Sequence, residues 1–346
     1  MRVSLRQIAR QAGVSVYTVS KALRGPTGVN QETRKRILTI AKKLGYVRDP
    51  SLSNALAYAR RPDKPIYRET LAFLADLPQD RYASMPWLKE ICDGASQRAR
   101  ELGYTLDCFS YPSTERDQQA LSRQILARGI RGLIISPGIT TIPFHLKFDW
   151  SKFAAVEIGQ TLVDSKLTNI TRDSVEDFHA MFVELLIRGY KRIGLAVSNR
   201  EEMRHGWVIL SAYLTFQYRH PKITHLPPLS NFSSSNLEKW LKRSRPDVVV
   251  TNGQWLQTGP YKLDNSIDVC RIDAFGGTDS GLRPDYSNMG WTAVNALALN
   301  LQHREIHITT RSQSITIPNA WREGSCLRFR PLDSPAMPLS LHEQSN

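Results

Sequence analysis

A chain of 346 residues is too long for one small core and suggests two or three folded units. It has no run of about 18 apolar residues to span a membrane, no apolar signal-peptide core, and no C-x-x-C pair among its four cysteines, Cys92, Cys108, Cys270 and Cys326. Core thiols in a reduced, cytoplasmic protein are therefore expected. The formal net charge of +14 is uneven: residues 1–61 hold 13 Lys and Arg against Glu32 and Asp49, a net of +11, and the rest of the chain nets +3. Such a cationic block suits a phosphate backbone, and binding through it weakens steeply as salt rises.

The first expected elements are three helices. Ser4 stands three residues before Gln7, the spacing of a capping box, so a helix begins at Leu5 with Leu5, Ile8, Ala9 and Ala12 on one face. Gly13 lets the chain leave that helix with positive φ. Ser15 caps a second helix from Val16, in which Val19, Ala22 and Leu23 turn inward while Val16, Tyr17, Ser20, Lys21 and Arg24 face out. Small residues at Ala9 and Ala12 let the two approach closely, giving a helix-turn-helix whose outer face fits a DNA major groove, with Val16, Tyr17 and Lys21 at base edges. A third helix is expected from Gln31 to Leu44, capped by Asn30 and ended by Gly45, with Ile37, Leu38, Ile40, Ala41 and Leu44 completing the core. Arg34, Lys35, Arg36, Lys42 and Lys43 lie outside or at its edge, where they can position the domain on phosphates.

Asp49 can cap a further helix with Pro50 at its first position, but about ten residues make a helix that is marginal in water and orders against a partner. Pro62 to Pro65 reads as a linker. Beyond it, short apolar runs alternate with helical stretches. Strands are expected at Thr70–Ala75, Thr105–Ser110, Gly132–Ser136, Ala154–Ile158, Arg192–Val197, Asp247–Thr251 and Val269–Ala274. Helices are expected at Trp87–Leu102, Glu115–Arg128, Val175–Arg188, Glu202–Tyr218 and Ser235–Arg243. The alternation implies parallel sheets covered on both faces, in two α/β subdomains with a ligand cleft at the strands' carboxyl ends. No G-x-S-x-G, Walker or H-E-x-x-H motif occurs, no acid and base converge, and His303 with His307 lacks a third ligand, so neither an enzyme, a cofactor nor a metal site is expected.

The stretch V-S-L-R-Q-I-A-R-Q-A-G-V-S-V-Y-T-V-S-K-A-L, followed by V-N-Q-E-T-R-K-R-I-L-T-I-A-K-K-L-G-Y, resembles the DNA-binding headpiece of the lactose-repressor (LacI/GalR) family of bacterial transcription regulators, nearly continuously over residues 3–50. L-A-F-L-A-D, G-A-S-Q-R-A-R-E-L-G-Y, I-L-A-R-G-I-R-G-L-I-I-S-P and the ending N-M-G-W-T-A-V-N-A-L are similar to that family's core, more weakly. The resemblance implies an all-α helix-turn-helix headpiece and hinge helix joined to an α/β periplasmic-binding-protein-like core of two Rossmann-like subdomains. On that pattern the headpiece takes residues 1–48 and the hinge and linker 49–67. One subdomain takes 68–160 and 284–311, the other 161–283 and 312–330, and 331–346 is a loose tail.

The same resemblance implies a homodimer on a near-palindromic double-stranded operator, cytoplasmic and away from membranes, acting as a repressor under the control of a small-molecule effector, a sugar or sugar derivative. Ser4, Leu5, Ser15, Thr18, Ser20, Arg24, Asn30, Thr33 and Arg34 would contact or support the DNA backbone. The hinge would enter the minor groove through Ser53, Ala55 and Leu56. Ala55 stands at the family's leucine position and Leu56 follows it, so Leu56 is the expected wedge. Trp87, Arg204, Phe232, Asn252 and Trp255 are the expected effector contacts, although Phe275-Gly276-Gly277 replaces an acidic family motif. The alternative is a cytosolic sensor acting through a protein partner, which would not need the headpiece's charge.

Overall fold

The computed structural model describes residues 5–24, 29–44, 69–140, 142–172, 175–229, 234–252, 263, 266–303 and 313–330. The chain divides into two units, residues 1–66 and 67–346. In the first, helix α1 (Leu5–Ala12) stops at Gly13, whose φ is +64°, and Val14 N–H donates back to the Ala9 carbonyl at 3.1 Å. This is the Schellman stop that glycine accommodates without a Cβ penalty. Helix α2 (Val16–Arg24) is capped as expected, the Ser15 hydroxyl accepting Thr18 N–H at 3.1 Å. Helix α3 (Gln31–Lys43) is capped by Asn30, which accepts Glu32 N–H at 2.9 Å.

Ile8, Ala9, Ala12, Val19, Ala22, Ile37 and Ala41 form the core of this unit. Ile8 and Ile37 are fully buried, each worth about 2 kcal/mol of apolar transfer. Leu38, expected in this core, is 38% exposed, because it sits a helical step past the face shared by Ile37 and Ala41. Arg34 closes the bundle: its Nε donates to the Ala22 carbonyl at 3.3 Å, in the last turn of α2. The hinge, the 62–65 linker and the 331–346 tail lie outside the described residues.

In the second unit, strand and helix alternate: β1 (Glu69–Ala75), α4 (Pro86–Glu101), β2 (Tyr104–Ser110), α5 (Glu115–Ala127), β3 (Gly132–Ile135), β4 (Ala154–Ile158) and β5 (Thr168–Thr171) come first. Then follow α6 (Val175–Ile187), β6 (Ile193–Leu195), α7 (Asn199–Arg204), α8 (Val208–Arg219), α9 (Ser234–Ser244), β7 (Val248–Thr251), β8 (Asp268–Arg271) and β9 (Gly281–Arg283). Helix α10 (Tyr286–His303), β10 (Ser314–Thr316) and β11 (Ala320–Arg322) end it. Among the described residues these strands make a six-stranded sheet in the order β10-β5-β4-β3-β1-β2 and a five-stranded sheet in the order β11-β9-β8-β7-β6. All pairings are parallel except β11 with β9. No described helix is long and apolar enough to cross a membrane.

Three expected boundaries differ in the structure. The first crossing between subdomains falls after Arg172 rather than near 160, and 312–317 does not belong to the second subdomain, because β5 and β10 pair with each other and extend the first sheet. The single helix expected at Glu202–Tyr218 is two, α7 and α8, broken where Gly206 and Trp207 both take left-handed φ, +60° and +65°. Two such residues in succession cannot continue a right-handed helix.

The first sheet packs α4 and α10 on one face, around Phe73, Ile91, Ile134, Val156 and Leu297, and α5 on the other. Helices α4 and α10 cross backbone to backbone: a Cβ on Gly94 would strike the Ser287 carbonyl, and one on Gly290 the Ile91 carbonyl. The second sheet buries Phe178, Phe182, Tyr213 and Phe216 from α6 and α8. Trp240 of α9 covers its other face.

Candidate DNA-binding face and ligand cavity

Helix α2 turns Val19 and Ala22 into the three-helix core and leaves Val16 41% and Tyr17 69% exposed, with Lys21 half-buried beside them. Of the expected backbone contacts, Ser15 and Thr18 are engaged with each other, hydroxyl to hydroxyl at 2.8 Å. Asn30 is exposed and capping, Thr33 is half-buried, and Arg34 bonds to α2. Ser4 and the side chains of Leu5, Ser20 and Arg24 lie outside the described residues, as do Ser53, Ala55 and Leu56.

A cavity of about 300 Å³ lies at the carboxyl ends of both sheets. Pro137 follows β3, Gly159 follows β4, Thr171 ends β5, Asn252 follows β7 and Asp273 follows β8, and all line it. Trp87, Arg204 and Asn252, expected as effector contacts, are brought together in this wall. Phe232 and Trp255 lie outside the described residues.

One side of the cavity is aromatic. Phe275 stacks on Tyr286 at 5.7 Å and 9°, Trp87 tilts against Tyr286 at 6.4 Å, and the Arg204 guanidinium stands over Trp87 at 5.9 Å. Phe275 opens the stretch in which Gly276 and Gly277 stand where the family motif is acidic, and its ring is part of the cavity lining. The charged groups packed against these rings are balanced, with Arg172 lying over Tyr286 at 5.4 Å. Arg172 pairs with Asp273 at 2.8 Å, and Arg271 Nε donates to Asp279 at 3.2 Å. Glu201 meets His205 at 3.0 Å and Arg204 at 3.7 Å. Burial pushes the Glu201 carboxyl up, but the His205 hydrogen bond and the charges of His205, Arg204 and Arg172 outweigh it and hold it at about 2. Burial pushes the Tyr286 phenol well above its ordinary value, and that hydroxyl donates to Asp273 at 2.9 Å.

Arg204 Nε and Arg271 Nη1 are buried donors with no hydrogen-bond partner among the described residues. Unpaired buried donors are costly, so both are suited to meet oxygen atoms of a ligand. The arrangement offers rings for an apolar face and fixed donors and acceptors for its rim, the composition of a small-molecule site. Further contacts tie the two subdomains around it: Arg283 Nη2 donates to both Glu90 oxygens at 2.7 and 2.8 Å, and Arg200 Nη2 donates to the Ile139 and Thr140 carbonyls at 2.6 and 2.9 Å. Sequence reasoning missed Arg172, Glu201, His205, Arg271 and Asp273. The only local signal among them is the i,i+4 spacing of Glu201 and His205. Among the described residues, no three His, Cys, Asp or Glu side chains stand together to hold a metal.

Residues 4–49 match the family described as bacterial regulatory proteins, lacI family. The chain is 36% identical to the sucrose operon repressor of Escherichia coli over 134 residues, covering 38% of this chain and 36% of the relative. It is 26% identical to the transcriptional regulator GntR of Pseudomonas aeruginosa over 206 residues, covering 59% and 56%. The chain thus spans about a third to just over half the length of these curated relatives. Among solved structures, a transcriptional regulator CelR–cellobiose complex aligns at a TM-score of 0.57 and 16% identity, covering 94% of this chain and all of the other. The lac repressor dimer bound to operator and the anti-inducer ONPF aligns at 0.54 and 14%, covering 94% and 99%. At these identities the structures show the fold alone.

Proposed function

We propose, for a chain whose headpiece belongs to the lacI family of bacterial regulatory proteins and whose core has the fold of such regulators, that it is a sequence-specific transcriptional repressor governed by a small molecule in the cleft between its subdomains. The observation that carries this is the exposure of Val16 and Tyr17 on a helix whose other face is fully packed, within a segment of net charge +11. An aliphatic and an aromatic side chain left in water on a cationic helix-turn-helix suit thymine methyls and base edges in a major groove. Two copies, related by a twofold axis, would place two such helices in successive grooves of a near-palindromic operator.

The effector is a sugar or sugar derivative. Trp87, Phe275 and Tyr286 supply surfaces for a ring, and Arg204, Arg271 and Asn252 supply polar contacts for its hydroxyls. A ligand that binds one relative arrangement of the subdomains more tightly shifts the population of the DNA-competent form by that difference in affinity. Selection from random duplexes, followed by anisotropy titrations at two salt concentrations, tests the DNA reading. A near-palindromic consensus and a steep loss of affinity with salt are expected; recovery of no consensus overturns it. Repeating the titration with a panel of sugars and sugar derivatives, and with the Trp87→Ala variant, tests the effector.

A further inference from the structure

Cys92 and Cys108 are 16 residues apart in sequence, one on helix α4 and the other on strand β2, yet their sulfurs stand 3.5 Å apart as free thiols. β2 is the edge strand of the first sheet. Cys108 is half-buried there, and Cys92 is 6% exposed against it. A disulfide needs the sulfurs at about 2 Å, so this pair must close by about 1.5 Å, a movement within reach of side-chain rotation. The pair is also differentiated. The Cys108 hydrogen bond draws the Cys92 thiol below its ordinary value against the opposing effect of burial, with help from Ser96 and Lys89, while the same bond and burial push Cys108 far up. The other two cysteines are placed differently. Cys270 is fully buried, and Cys326 donates to the Val269 carbonyl and accepts Ser280 N–H, both at 3.0 Å.

We propose that Cys92 and Cys108 form a redox site, which a hydroperoxide converts to an intramolecular disulfide clamping α4 to the edge strand and which a thiol reductant reopens. The Cys92 thiolate attacks one oxygen of the hydroperoxide, the O–O bond breaks, the alkoxide or hydroxide leaves with the proton that Cys92 released, and Cys92 becomes a sulfenic acid. The Cys108 sulfur then attacks the Cys92 sulfur, the S–O bond breaks, and the departing hydroxide takes the Cys108 proton to leave as water. Two thiols give up two electrons and two protons, and the hydroperoxide is reduced to an alcohol, or water, plus water. Ile91, beside Cys92, and Trp87, at the start of the same helix, both line the cavity, so the clamp bears on the cavity wall.

The test is oxidation of the 346-residue chain by one equivalent of hydrogen peroxide, with free thiols counted before and after. Wild type is expected to fall from four thiols to two, to yield a tryptic cross-link joining the Cys92 and Cys108 peptides within one chain, and to recover all four with dithiothreitol. Cys108→Ser is expected to stop at a Cys92 sulfenic acid that dimedone traps. Retention of four thiols overturns the proposal, as does a cross-link between Cys270 and Cys326, a cross-link between chains, or Cys92 over-oxidised without a cross-link. Because the mapping is done on wild type, the outcome does not depend on the variant folding, nor on whether the chain binds DNA.

Discussion

Arg172, immediately after β5 in the first subdomain, places Nη1 2.8 Å from Oδ1 of Asp273, just beyond β8 in the second. The guanidinium is 4% exposed, and its Nη2 also lies 3.3 Å from His205 Nε2. The ion pair joins the two halves of the α/β unit at the cavity they share. Removing one partner of a buried pair leaves a charge that water cannot reach. Asp273→Asn is therefore expected to lower the unfolding free energy of this unit by about 3 kcal/mol, read from its urea transition. A change below about 0.5 kcal/mol, the level of ordinary surface substitutions, would show that the remaining contacts of Arg172 carry its charge unaided.

Glu157 on β4 is 2% exposed and accepts Leu162 N–H at 2.9 Å. Burial pushes its carboxyl from 4.5 up to about 7, the bonds from Leu162, Ser165 and Thr161 opposing only in part. A folded-state value above the unfolded one means that the stability contributed by the protonated form is complete below about pH 4.5 and is lost as pH rises through about 7. Glu157→Gln keeps the acceptor and removes the ionisation. It is expected to raise stability above pH 7 by on the order of 3 kcal/mol and to leave it unchanged near pH 4. Thermal melts of both proteins across that window measure the difference, and equal gains at both ends would refute it.

Gly290→Ala is expected to be costly although alanine is the better helix former. Its methyl would meet the Ile91 carbonyl of α4, which is backbone and has no rotamer through which to yield. The cost of such overpacking is about 1 to 3 kcal/mol, read as a lowered urea midpoint. Gly129→Ala is the matching control for a left-handed glycine, since its φ is +77° and nothing lies within 4 Å of the added methyl. Only conformational strain of about 1 kcal/mol should appear there.

The headpiece was legible because its determinants are local. Ser15, Asn30 and Gly13 act on backbone groups within five residues, and the buried stripe of α1 follows from spacing alone. β5 was not, since T-N-I-T at Thr168–Thr171 has one aliphatic residue and becomes a strand only because β4 and β10 flank it. Losing that strand also hid Arg172 at its end. Trp87 and Arg204 could be placed near the cleft from the strand and helix boundaries and Asn252 from the family resemblance, whereas the pairing of Arg172 with Asp273 and the approach of Cys92 to Cys108 are set by tertiary packing. The left-handed Trp207 has no composition signal at all.

On the proposed function, Lys21 and Tyr17 separate two ways of holding DNA. Both project from α2, but only one is charged. If Lys21 reads a base, Lys21→Ala costs about 1 to 3 kcal/mol at one operator position and relaxes the consensus there, leaving other positions as discriminating as before. If it holds a phosphate, affinity falls equally for every sequence and the slope of log affinity against log salt drops by roughly 0.9. Tyr17→Ala removes apolar contact without removing charge, so its salt slope should match that of wild type while its affinity falls. Titrating both variants against a set of single-position operator mutants at two salt concentrations resolves the three outcomes. The expectation is a position-specific loss for Lys21→Ala and an unchanged slope for Tyr17→Ala, and a reduced slope in the Tyr17 variant would place that side chain outside the groove.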